Sequence, residues 1–286
     1  MTLEVSARLN SSPENALAID ARLPAVRREV AVAGQRLETC RFGSQAGPLR
    51  VVLLHEGLGS VALWRDFPAR LAARLDEPVL AYSRAGYGQS CLPAGPRGAD
   101  FMHHEARVIL PALLQSFDIA HPILIGHSDG ASIALILAGS AQPGSGTGDR
   151  RPAGVAVLAP HLFVEPVTVR EIAKVRDEFE ASGLGERLAR YHRDPAATFQ
   201  SWADAWLSEA FLKWNIEAEV AAIACPLLAI QGEDDQYGTP RQIERLVQLS
   251  RQAKSLMLPD CRHSPHAEQP AVVLAALTGF VAGLTR

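Results

Sequence analysis

Gly126-His127-Ser128-Asp129-Gly130 follows the apolar run Ile123-Leu124-Ile125 and precedes 131–138, which is apolar almost all round. Gly-x-Ser-x-Gly between a strand and a helix has the form of a nucleophile elbow. The reason is steric. A serine at the tip of so sharp a turn stands out above a sheet, and only small residues two positions to either side let strand and helix come that close. Gly126 and Gly130 supply them. This register makes Ser128 the nucleophile. Asp129 contributes its backbone N–H, and its side chain is free to cap the helix that begins there.

A hydroxyl is a poor nucleophile at neutral pH, so it needs a base, and the base needs a group to orient it. The chain has nine histidines. His263 is the leading candidate, because it follows a strand at 255–258 and lies in the loop before the last helix. His266, three residues on, is the alternative. Cys261, His263 and His266 could be read as metal ligands, but no fourth ligand and no recognised spacing supports them, so no metal is expected. His103, His104, His121 and His192 read as solvated or structural. The acid should come from Gln231-Gly232-Glu233-Asp234-Asp235, which follows a strand at 226–230. Three adjacent carboxylates could form only a solvated turn. This loop, however, leaves the same sheet edge as the serine and histidine loops.

These loops need a frame. Residues 29–42 read as a β-hairpin turned near Ala33-Gly34. Short apolar runs at 51–54, 78–82, 122–126, 155–159, 226–230 and 255–258 read as buried strands. Between them lie helical patterns at 61–75 (Leu63, Phe67, Leu71 and Leu75 on one face), 103–117, 131–138, 241–251 and 271–284. Pro111 should kink or shorten the second of these. The expected fold class is therefore α/β, a mostly parallel sheet with helices on both faces. Residues 161–224 break the alternation. They show no convincing strand and hold eight of the seventeen aromatic residues, as an inserted helical cap would. The expected organisation is a core of 26–160 and 225–286, a cap of 161–224 and a peripheral extension of 1–25. The Gly- and Ser-rich stretch at 142–151 reads as a surface loop.

Composition bounds the function. The chain has 286 residues, 48% of them hydrophobic, which suits a packed domain of the larger α/β kind and excludes a disordered chain. Asp and Glu outnumber Lys and Arg, 31 to 28, so a nucleic-acid partner is not expected. No apolar run approaches the roughly 20 residues that span a bilayer, and the first residues lack the basic start of a secretory signal. Four scattered cysteines with no Cys-x-x-Cys argue against a disulfide framework. The expectation is a cytoplasmic protein, monomer or homodimer, acting on a small molecule.

Together these motifs resemble the α/β-hydrolase fold family, in the branch with a short helical cap, from about residue 29 onward. The resemblance rests on His55-Glu56-Gly57-Leu58-Gly59, on Ser83-Arg84-Ala85-Gly86-Tyr87-Gly88-Gln89-Ser90, on the elbow, on Gly232-x-x-Asp235 and on His263-x-Pro265-x-x-Glu268-x-Pro270. The chain order Ser128, Asp235, His263 is also that of the family. It implies Asp235 rather than Asp234 as the acid and His263 rather than His266 as the base. It implies oxyanion donors at the backbone N–H groups of Gly57 and Asp129. Glu56 and Leu58 replace the family's usual Gly and Pro, which leaves Gly57 and Leu58 open as alternatives, and Arg262 stands where Gly is usual before the histidine. The implied activity is a serine hydrolase without a cofactor, cleaving a small ester or related carbonyl through an acyl-enzyme. C–C bond hydrolysis, amide or peptide cleavage and acyl transfer use the same triad, and a non-catalytic ligand receptor is the rival from another class. A serine at the elbow tip argues against a dehalogenase or epoxide hydrolase, whose nucleophile there is Asp. Glu56 is the unusual residue: it either points away, pairing with a backbone group or a base such as Arg84, or binds a polar part of the substrate. Leu58, Trp202 and Trp206 are further candidates for substrate contact. The two tryptophans are four apart and share a helical stripe, which either roofs the pocket or forms the core of the cap.

Overall fold

A computed structural model describes residues 24–93, 95–140 and 151–284. The expected extension up to residue 23 and the expected loop up to residue 150 lie outside the described residues. The chain builds one eight-stranded sheet in the order β1-β2-β4-β3-β5-β6-β7-β8. Strands β1 (Ala25–Val32) and β2 (Gln35–Phe42) form the antiparallel hairpin. Ala33 and Gly34 turn it with φ of +48° and +79°, as a two-residue turn matching strand twist requires. β2 joins β4 (Val79–Tyr82) antiparallel, and β3 (Val51–Leu54), β5 (Ile123–His127), β6 (Gly154–Leu158), β7 (Leu227–Gly232) and β8 (Ala253–Leu258) complete a parallel array.

The apolar strands serve two cores at once. Side chains alternate across a strand, so Leu54, Leu124 and Val157 pack into one cluster and Leu53, Ile125 and Ala156 into the other. The first is covered by α3 (Leu110–Ser116), α4 (Asp129–Ser140) and α9 (Arg241–Leu249), and the second by α1 (Phe67–Leu75) and α11 (Pro270–Leu284). The wholly apolar α4 is buried along nearly its entire length. Helices thus lie on both faces of a mostly parallel sheet.

Two expected helices are interrupted. The 61–75 pattern breaks into a short 3₁₀ turn (Ala62–Trp64) and α1, because Arg65 takes φ +54° and Pro68 suits only a helix start. The 103–117 pattern opens as α2 (Phe101–His104), widens into a π turn (Glu105–Ile109) and resumes as α3. Pro111 brings no N–H to the ladder, so the helix is kept continuous by widening before the proline rather than by kinking.

Between β6 and β7 lie α5 (Pro166–Asp177), α6 (Leu184–Leu188), α7 (Pro195–Leu207) and α8 (Glu217–Ala221). An isolated bridge between Phe163 and Asn215 ties the two ends of this segment together. The sheet order reverses at β3, with β4 on one side and β5 on the other. The crevice outside the carboxyl ends of strands at such a reversal is where open α/β sheets bind ligands. The loops after β3 and β5, and so Glu56, Gly57 and Ser128, stand there.

Candidate active site

Ser128 occupies the turn between β5 and α4 with φ +52°, a left-handed conformation uncommon for a residue with a side chain. Its N–H donates to Leu158 O at 2.9 Å. The two glycines of the elbow are required by contact. A Cβ on Gly126 would lie 2.3 Å from Gly130 O, and one on Gly130 would lie 2.2 Å from Leu54 O. No other residue lets α4 start so close to β3 and β5.

His263, in the loop after β8, places Nε2 at 3.0 Å from Ser128 Oγ. Its Nδ1 lies 2.8 and 3.0 Å from the two carboxylate oxygens of Asp235. With Nδ1–H donated to Asp235, Nε2 is left to accept the serine proton. Asp235 is buried and also accepts from the Tyr237 N–H at 2.9 Å. Burial pushes its carboxyl up, but His263 and these hydrogen bonds outweigh burial and hold it below the usual carboxylate range. Asp234 does not enter this chain of contacts. Instead its N–H donates to Cys261 O. His266 faces away from Ser128, with its ring 4.8 Å from Trp64 and 5.4 Å from Phe67. Cys261, His263 and His266 do not converge, and among the described residues no cluster of three His, Cys, Asp or Glu is placed to hold a metal ion.

A cavity of about 110 Å³ opens over Ser128, walled by Glu56, Leu58, Ile172, Trp202, Trp206 and Tyr237. Gly57 also lines it, and the place where a Gly57 Cβ would stand lies 2.2 Å from Trp202 Nε1. The Trp202 indole N–H is buried without a hydrogen-bond partner among the described residues. Asp129 lies at the first turn of α4, where a helix leaves its N–H groups without internal partners. His192 holds the loop after β3 from above: its Nδ1 accepts from the Gly88 N–H and its Nε2–H donates to Leu58 O, both at 2.9 Å.

Three expectations need correction. Glu56 does not pair with Arg84. Its carboxylate lies 3.5 Å from His127 Nδ1, while Arg84 donates to the backbone carbonyls of His55 at 2.6 Å and Glu56 at 2.8 Å. Asp129 does not cap α4. Its carboxylate accepts from Trp206 Nε1–H at 3.1 Å and stands 3.8 Å from Arg84. The tryptophan stripe is neither roof nor core alone. Trp202 and Trp206 wall the cavity and are also packed in the core, 7% and 1% exposed. His127 is not among the sequence-based candidates, because the elbow pattern leaves its position variable; its signal lies in its place next to Ser128.

A comparison with curated proteins finds no match. Among solved structures the chain is similar to the enol-lactonase from Burkholderia xenovorans LB400, with 22% identity, a TM-score of 0.68, and coverage of 89% of this chain and 100% of that one. It is similar to 2-hydroxy-6-oxo-6-phenylhexa-2,4-dienoate hydrolase from Rhodococcus sp. strain RHA1, at 17% identity, TM-score 0.74, 91% and 99% covered. A thermophilic esterase from Thermogutta terrifontis aligns at 18% identity, TM-score 0.67, 91% and 100% covered. At such identities the likeness is one of fold. The model of the alpha/beta hydrolase family matches residues 51–276, from the first parallel strand past the His263 loop. The chain belongs to the alpha/beta hydrolase family.

Proposed function

We propose that the protein is a serine hydrolase that cleaves a small, uncharged ester or related carbonyl compound through an acyl-enzyme on Ser128. The observation that carries this reading is the hydrogen-bond chain from Ser128 Oγ through both nitrogens of His263 to Asp235. Ser128 attacks the carbonyl carbon as His263 Nε2 takes its proton. Asp235 holds the ring in the productive tautomer and offsets the charge of the imidazolium. The backbone N–H groups of Gly57 and Asp129 receive the developing oxyanion, each such donor contributing about 3 kcal/mol to transition-state stabilisation. His263 returns the proton to the leaving group. Water, deprotonated by the same imidazole, then releases the acid.

The cavity supports the substrate class. Its volume is well below the roughly 300–1,000 Å³ of sites for drug-sized ligands, which favours a short acyl group. Its walls, among the described residues, include neither Lys nor Arg. A second negative charge on the acyl group would find no cation there to pair with. Residues 161–224 act in this reading as the cap that sets substrate choice, since α5 and α7 supply Ile172, Trp202 and Trp206 to the cavity.

Labelling with a fluorophosphonate followed by peptide mass spectrometry tests the nucleophile, and an adduct on Ser128 of the folded protein is expected. Ser128→Ala should lose about a millionfold in kcat with the fold intact. A panel of acetyl, butyryl and octanoyl esters beside a lactone, an anilide and a vinylogous diketone tests the reaction class. Preference for the short esters is expected. Turnover of the diketone alone would replace ester cleavage with C–C cleavage, and an unlabelled Ser128 would leave a ligand receptor.

A further inference from the structure

His127 and Glu56 stand next to the two groups on which the proposed chemistry depends. His127 precedes Ser128, and Glu56 precedes Gly57. Both nitrogens of the His127 ring face acceptors. Nε2 lies 2.7 Å from the backbone carbonyl of His263, and a carbonyl can only accept, so Nε2 carries a proton. Nδ1 lies 3.5 Å from a Glu56 carboxylate oxygen and is buried with no other partner among the described residues. A lone pair held there against an ionised carboxylate would be repulsive. The contact is attractive only if a proton lies between the two groups. Burial pushes the Glu56 carboxyl up, but His127, His55 and His266 outweigh burial and hold it well below the usual carboxylate range, which places that proton on Nδ1.

We propose that Glu56, at the cavity wall, and the buried His127 form a carboxylate–imidazolium pair that positions the three catalytic loops relative to one another. The inference rests on the serine hydrolase reading. The pair links the loop bearing the Gly57 N–H to the elbow. The His127 Nε2–H then links the elbow to the backbone of His263. One ring thereby ties donor, nucleophile and base together. It also accounts for a carboxylate beside an oxyanion site, because the imidazolium offsets its charge. The ring is enclosed on every side: by Glu56 from the loop after β3, by Trp64 at 6.4 Å, and by His263 at 5.2 Å and His266 at 4.8 Å from the loop after β8. Asp235, in the loop after β7, adds a second negative charge. Burial alone would lower the pKa of His127, but Glu56, the His263 carbonyl and Asp235 outweigh it and raise it. His266 is held neutral, its pKa lowered to about 3 by burial first and by His127 second.

Histidine-ring ¹H–¹⁵N spectra of the folded protein at pH 7.5 test the pair directly. One ring protonated on both nitrogens is expected, absent in His127→Asn and absent or singly protonated in Glu56→Gln. Kinetics on a short ester test the positioning. Displacing reacting groups by a fraction of an ångström costs about ten- to a hundredfold, so each variant should lose about that much in kcat with KM within twofold. The double variant should lose no more than His127→Asn alone, since that variant already removes the contact that Glu56→Gln removes. A wild-type spectrum without a doubly protonated ring overturns the proposal. So does a Glu56→Gln variant that raises KM and keeps kcat, which would make Glu56 a substrate contact. The ring signal is independent of turnover. A wild-type protein that shows it and leaves Ser128 unlabelled overturns the hydrolase reading and leaves the pair standing.

Discussion

Acidification from pH 7 to 4.5 should cost wild-type protein about 2.5 kcal/mol more than it costs the variant His266→Phe. The His266 ring is 8% exposed and lies edge-on to Phe67 and His127 and tilted against Trp64. Burial and the neighbouring His127 lower its pKa to about 3, against about 6.5 in an unfolded chain. Between those values the unfolded state binds a proton that the folded state refuses. Stability therefore falls as pH drops below 6.5, by about 1.4 kcal/mol per unit once the unfolded ring is mostly charged. Two units of acid below 6.5 bring the cost to about 2.5 kcal/mol. Phenylalanine keeps the edge-on contacts and removes the titration. Other groups titrate in the same window. His161, with a pKa lowered to about 3 by burial and by His263, adds a similar loss. Asp129 and Glu105, both raised by burial, take up protons in the folded state and push the other way. They are common to both proteins, so the difference isolates His266. Urea unfolding followed by tryptophan fluorescence at half-unit steps of pH supplies the numbers. Parallel curves for the two proteins from pH 7 to 4.5 would refute the assignment of a neutral buried ring.

Asp235→Asn should lower kcat about ten-thousandfold, because asparagine favours the wrong imidazole tautomer, while Asp234→Asn stays within a few-fold of wild type. Steady-state assays on one ester decide the ranking. Asp235 is held below the usual carboxylate range, so its share of stability is present above about pH 4. It is lost only as pH falls further, through the lower folded value, and Asp235→Asn should remove that acid limb from the unfolding profile. Trp202→Phe removes a buried N–H that has no partner among the described residues and keeps the aromatic face. Melting temperature should hold within a few degrees while relative rates across the ester panel change. Gly130→Ala forces a methyl to within 2.2 Å of Leu54 O, and soluble expression with a melting temperature far below wild type is the expected result, with a loss of about 4 kcal/mol or more.

The parts legible in sequence are those that short-range chemistry dictates. Val51–Leu54 reads as a buried strand because four apolar β-formers in a row leave no face for water. The elbow reads as an elbow because glycine spacing is a steric requirement that nothing else satisfies. The hairpin is legible from its turn, but its first strand begins at Ala25 rather than Glu29. Residues 25–31 form an exposed edge with no clean alternation of burial, so pattern alone could not find the start. The partners of charged residues were not legible. Charge alone suggests a base such as Arg84 as a partner for Glu56. The fold instead aims its guanidinium at two backbone carbonyls and gives the Glu56 carboxylate to His127, 71 positions away in sequence. The dual place of Trp206 was hidden for the same reason. A helical stripe shows which side chains travel together, not what lies opposite them.

The hydrogen bond from Trp206 Nε1 to Asp129 places a constraint on how this protein can diversify. Caps in such a fold look exchangeable, since they enter and leave through one gap between consecutive strands. Here the residue that follows Ser128 has one oxygen of its buried carboxylate bonded to a donor on α7, while the other has no hydrogen-bond partner among the described residues. A foreign cap without an N–H at that point would strand the Asp129 oxygen beside Ser128, and leaving a buried acceptor unmet costs about 1–3 kcal/mol. Position 129 and position 206 must therefore change together. Substitutions at Leu58, Ile172 and Trp202 reshape the cavity and leave the Trp206–Asp129 contact in place, whereas replacing residues 161–224 wholesale does not.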